Sequence, residues 1–70
     1  MIRKGSKVNW KWGNGTAKGK VIETYTSSIT KTIKGSEVTR HGEKGNKALL
    51  IEQSDGDQVL KLEQEVEKID

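Results

Sequence analysis

Val8-Asn9-Trp10-Lys11-Trp12, closed by Gly13-Asn14-Gly15, reads as a β-strand running into a turn. Alternate residues of a strand point to opposite faces. Val8, Trp10 and Trp12 therefore line one side, and Lys7, Asn9 and Lys11 line the other. The stretch holds both tryptophans of a chain that has no Phe and a single Tyr. In a protein of 70 residues, two indoles supply much of the core or much of a binding surface. The spacing predicts Trp10 as the core member, flanked by Val8 and packed under Leu50, Ile51 and Val59. Trp12, beside glycines at the strand end, is expected to stay half exposed.

Working outward, turn residues divide the chain into short strands. A second strand is expected over 16–26, and Val21-Ile22 side by side predicts a bulge or bend, which Gly19 eases. Ile29-Thr30-Lys31-Thr32-Ile33 and Glu37-Val38-Thr39-Arg40 are rich in β-branched residues. With Lys34-Gly35-Ser36 between them they read as a hairpin, polar and basic enough to project from the core. Residues 41–46 form a Gly-containing connector. Ala48-Leu49-Leu50-Ile51-Glu52 is the most apolar run and the predicted central strand. Ser54-Asp55-Gly56-Asp57 turns into a last strand, Gln58-Val59-Leu60-Lys61-Leu62. Beyond it, Leu62, Val66 and Ile69 fall at i, i+4, i+7, which predicts a short C-terminal helix over 63–70 docked on the rest. The expected architecture is all-β: one domain over residues 1–70, a small barrel of about five strands.

Composition narrows the function classes. Only 30% of residues are apolar, so a chain this short has a small core. There is no Cys, which rules out disulfides and thiolate metal sites and fits a reducing compartment. No run approaches the roughly 20 apolar residues of a membrane-spanning helix, and no apolar segment follows the basic start as a signal peptide requires. The expectation is a soluble, cytoplasmic protein without membrane contact. Net charge is +3, but residues 1–47 balance at +8 and residues 48–70 at −5. Acids near the end can therefore lie against the basic part and neutralise some of it; the asymmetry reads either as ordinary solubility charge or as a basic face for phosphates or anionic partners.

Gly13-Asn14-Gly15-Thr16-Ala17-Lys18-Gly19-Lys20 invites comparison with phosphate-binding loops and matches neither kind. The third glycine comes one residue late for G-x-G-x-x-G. The P-loop spacing is wrong as well, and no helix begins there. Catalysis has little to use: His41 is the only histidine and lies in the connector, so no catalytic residue is expected. Asp55 and Asp57 lack the remaining ligands of a calcium loop. Neither a metal nor another cofactor is expected.

With the strands placed, a family resemblance emerges over nearly the whole chain. It is carried by Lys4-Gly5 through Val8, Trp10-Lys11-Trp12-Gly13, Gly15-Thr16-Ala17 and Gly19-Lys20-Val21. It continues in Thr32-Ile33-Lys34-Gly35, Val38-Thr39-Arg40, Leu50-Ile51-Glu52-Gln53, Asp55-Gly56-Asp57 and Val59-Leu60-Lys61. In order and spacing these pieces resemble the bacterial branch of the hypervirulence-associated Tudor-like family. The resemblance implies an SH3-like, Tudor-like barrel and a non-enzymatic protein. Tudor domains proper grip methylated Lys or Arg in an aromatic cage, a role open here only to Trp10, Trp12 and Tyr25.

The reading is a binding module for an anionic ligand, nucleic acid or a nucleotide phosphate. Its candidate basic contacts are Lys11, Lys18, Lys20, Lys31, Lys34 and Arg40, and Trp12 and Tyr25 offer stacking surface. The alternative is a protein-interaction module that takes a peptide in an aromatic groove or by strand pairing.

Overall fold

The computed structural model describes residues 2–69, so Met1 and the final Asp70 of the expected helix lie outside the described residues. Strands β1 (Lys7–Trp12) and β2 (Gly15–Tyr25) form an antiparallel ribbon across a two-residue turn, with Trp12 opposite Gly15. Strands β3 (Ser28–Ile33) and β4 (Ser36–His41) make the expected hairpin. At its tip Lys34 and Gly35 both have positive φ, 52° and 80°, the pattern of a type I′ turn that matches the natural twist of paired strands. Strands β5 (Ala48–Glu52) and β6 (Gln58–Leu62) follow the boundaries that the sequence predicts.

Two expectations need correction. The strands do not close into a barrel of about five. Among the described residues seven strands form two antiparallel sheets, one ordered β6-β5-β2-β1-β7 and the other β3-β4 alone. Closure would need the hairpin to continue the ladder beyond β6. The hairpin instead lies against β6 without joining its ladder, with Ile29, Ile33 and Val38 half-buried, so it projects less than its polarity implies. The C-terminal helix is also absent. Glu63–Glu65 is a single 3₁₀ turn and Glu67–Lys68 is a short strand, β7, paired with Val8 and Asn9 of β1.

Pairing with β1 explains that second outcome. Glu65 accepts a hydrogen bond from Leu62 N–H at 2.8 Å, which caps the start of the 3₁₀ turn, and Glu63 accepts one from the Lys47 backbone N–H at 2.8 Å. Beyond the turn, Ile69 N–H donates to the Lys7 carbonyl at 2.9 Å, so the chain continues as an edge strand instead of a helix. The i, i+4, i+7 stripe is broken accordingly, since Val66 enters the core while Ile69 stays 47% exposed.

The core packs Val8, Trp10, Val21, Leu49 and Ile51 with Ile2 and Val66, and Ala17 and Val59 border it. Leu49 therefore takes the place expected for Leu50. The β5–β6 register sets Leu50 opposite Leu60, and both are buried on the other face of the sheet, toward the hairpin. Strand β5 is thus covered on both faces. The bend in β2 falls where the sequence predicts it, with a register shift between Val21 and Glu23. Gly19 enables the close packing just before it. A Cβ there would lie 2.6 Å from Ile51 Cγ2 and 2.7 Å from the Glu52 carbonyl oxygen.

Candidate functional site

The structure separates the three aromatics. Trp10 is 5% exposed inside the core, whereas Trp12 is 73% exposed at the free end of the β1–β2 ribbon. Tyr25 ends β2, ten residues along the strand from Gly15, the ladder partner of Trp12. Tyr25 is half-buried, and Lys31 Nζ lies 5.8 Å from the centroid of its ring. No cage is assembled from these residues, and the cation over Tyr25 is the chain's own.

The candidate basic residues divide in the same way. Two of the three hairpin cations, Lys34 and Arg40, are engaged by acids from the second half of the chain. Lys34 Nζ meets Asp57 Oδ2 at 2.7 Å, and Arg40 Nη2 meets Glu65 Oε2 at 3.2 Å. The hydrogen bond to Asp57, and then the charge of that carboxylate, raise the Lys34 pKa above its ordinary 10.5. These two contacts pin the tip and the base of the hairpin to the main sheet. Lys4 is near Glu23 at 3.7 Å.

Lys11, Lys18 and Lys20 are placed differently. The ladder pairs Lys7 with Lys20, Asn9 with Lys18 and Lys11 with Thr16. Directly opposed residues share a face, so four lysines stand on the outer face of one two-stranded ribbon. None of them makes an ion pair among the described residues. Lys7, which strand alternation already puts on the Lys11 face, completes the set and was not among the predicted contacts. The face is bordered by two carboxylates. Glu52 lies across from Lys20 on β5, and Glu67 lies across from Asn9 on β7.

Two hollows open on this face. One, of about 420 Å³, is lined by Asn9, Lys11 and Thr16 against residues 64–67. The other, of about 390 Å³, is lined by Lys7, Lys18 and Lys20 against residues 52–54 and Ile69. By alternation Trp12 belongs to the opposite face, but it emerges past the end of the core, one residue beyond the Lys11–Thr16 pair.

His41 lies across the β3–β4 ladder from Ser28, and its Nδ1 shares a 2.6 Å hydrogen bond with Ser28 Oγ. Among the described residues no acid holds the other ring nitrogen, which a Ser–His nucleophile requires. No cluster of three or more potential metal ligands is present among the described residues. No helix there is long and apolar enough to cross a membrane.

Comparison with known families places the chain. The family model for the Tudor domain of hypervirulence associated proteins covers residues 5–66. No curated protein and no solved structure matches the chain.

Proposed function

This chain belongs to the hypervirulence-associated Tudor family, whose domains are generally binding modules, and on that premise we propose that it binds nucleic acid through the lysine face of β1 and β2. The observation that carries this reading is the division of charge. Lys34 and Arg40 are held by Asp57 and Glu65, whereas Lys7, Lys11, Lys18 and Lys20 share one surface without an ion pair among the described residues. Exposed ammonium groups on a rigid ladder supply the sequence-independent part of nucleic-acid affinity. The exposed indole of Trp12, at the end of the same ribbon, offers a stacking platform to a chain leaving the lysine face there.

Oligonucleotide binding followed by fluorescence anisotropy tests the proposal. Replacing Lys11, Lys18 and Lys20 together by Gln should abolish binding, whereas replacing Lys31, Lys34 and Arg40 together should change it little. Absence of affinity at low salt, or affinity indifferent to salt, refutes it.

A second reading rests on a different observation. Strand β7 pairs only with Val8 and Asn9 of β1, so beyond Asn9 the outer edge of β1 has no ladder partner among the described residues and offers its last residues to a strand from a protein partner. Binding of that kind survives high salt and does not depend on the ribbon lysines.

A further inference from the structure

The lysine face has a register, and the register specifies its ligand more closely. Its six outward residues form three rungs: Lys7 with Lys20, Asn9 with Lys18, and Lys11 with Thr16. Every rung carries at least one lysine. The other member is a second lysine, an amide or a hydroxyl, each able to donate to a phosphate oxygen. Successive rungs are two residues apart along the strands, about 6.5 Å, a step comparable to that between phosphates of an extended single strand.

Width matters as much as spacing. The basic strip is two strands across, about 5 Å. Glu52 flanks it on the β2 side and Glu67 on the β1 side, one strand further out in each direction. A single sugar–phosphate backbone fits along such a strip. The second backbone of a duplex would be displaced sideways, over one of the bordering carboxylates.

The Lys7–Lys20 rung adds a further indication. Like charges directly opposite each other on an antiparallel pair are destabilising; Glu52, across from Lys20 on β5, offsets part of this, but neither lysine makes an ion pair among the described residues. An anion between them would remove that repulsion. The hollow lined by Lys7, Lys18 and Lys20 has Glu52 on its β5 border, and is also lined by Ile69 and by the apolar stems of the lysines themselves. This gives the sugar or base attached to that phosphate an apolar surface to rest on.

Building on the nucleic-acid reading, we infer that the β1–β2 ribbon is a three-rung seat for one single strand. It takes one phosphate per rung and discriminates against duplex. A single strand contributes a log–log salt slope of about −0.7 per phosphate, so three contacts give about −2.

The test uses the full chain with labelled single strands of two to ten nucleotides, and a duplex of ten base pairs. Affinity should climb up to four nucleotides, which contain three internal phosphates. Beyond that it should rise only with the number of available registers, and the duplex should bind more weakly at equal length. Lys11→Gln and Lys18→Gln should each make the salt slope shallower by about 0.7, and so should Lys7→Gln and Lys20→Gln combined, since those two lysines share one rung and one phosphate. Lys7→Gln should also raise the low-salt melting temperature, and Lys18→Gln should not. Duplex binding as tight as single-strand binding overturns the inference and leaves the nucleic-acid reading standing. Single-strand binding whose slope ignores all four lysines overturns both the inference and the assignment of binding to the lysine face. No binding by any oligonucleotide at low salt overturns both.

Discussion

Replacing Trp10 by alanine empties the largest side-chain volume in the core. The indole is 5% exposed and packs with Val8, Val21, Leu49 and Ile51. Truncating a buried aromatic of this kind costs about 3–5 kcal/mol, the lost transfer free energy plus the cavity left behind. Small domains lie toward the lower end of the usual stability range of about 5–15 kcal/mol, so Trp10→Ala should leave the chain unfolded or nearly so at room temperature. Trp12 is 73% exposed, and its truncation should cost about 0.5 kcal/mol or less.

Urea titrations read by fluorescence suit this pair, because each variant keeps one tryptophan as the reporter. Native Trp12→Ala should show the blue-shifted, quencher-resistant emission of a buried indole and melt close to the parent. Trp10→Ala should report a solvated Trp12 and little or no cooperative transition. Trp10→Phe, which keeps most of the aromatic surface, supplies a folded point between the two. Equal destabilisation by Trp10→Ala and Trp12→Ala would refute the strand assignment, and with it the placement of the lysine face.

Gly19→Ala should destabilise by about 1–3 kcal/mol through overpacking, since its Cβ would meet the Glu52 carbonyl oxygen at 2.7 Å. Gly15→Ala, whose Cβ would come no closer than 3.9 Å to the Trp12 carbonyl oxygen, should be nearly neutral in the same thermal melts. The Lys34–Asp57 pair predicts a pH dependence. Because Asp57 raises the Lys34 pKa above 10.5 in the folded state, its contribution is fully present below that value. It is lost as pH rises through the higher folded pKa. The stability gap between the parent and Asp57→Asn should therefore close in alkali, and a gap unchanged at high pH would show that the ammonium charge is not involved.

Much of this was legible in the sequence, and the parts that were not have identifiable causes. Alternation within 7–12 places Trp10 inside and Lys7, Asn9 and Lys11 outside, as the burial pattern has it. The two-residue turn Gly13-Asn14 also fixes the ladder, because pairing Trp12 with Gly15 commits Lys18 and Lys20 to the Lys11 face. Lys7 could have been added to the site by that argument alone. Periodicity misled at the C-terminus. Leu62, Val66 and Ile69 have helical spacing, but only tertiary contact shows Glu63 held by the Lys47 N–H and β7 pairing with β1. The fate of the hairpin cations was equally hidden. The partners of Lys34 and Arg40 lie 23 and 25 residues away, and no local pattern selects one acid among those of the second half.

That hidden pairing changes what net charge means for this protein. The acids of residues 48–70 do not neutralise the basic half evenly, since Asp57 and Glu65 fall on the hairpin while the ribbon keeps its four lysines. Salt therefore acts on the molecule in two places. It competes for phosphates on the ribbon, and it screens the exposed Lys34–Asp57 contact that holds the hairpin tip to the β5–β6 turn. A salt slope measured on the parent alone mixes the two effects if hairpin docking influences binding. In a chain carrying Lys34→Gln and Arg40→Gln the hairpin term is gone at every ionic strength. A slope that stays near −2 in that variant, at three phosphates and about −0.7 each, assigns the whole dependence to the ribbon. A slope that collapses there places the anion contacts on the hairpin instead, and the lysine ladder would then be ordinary surface charge.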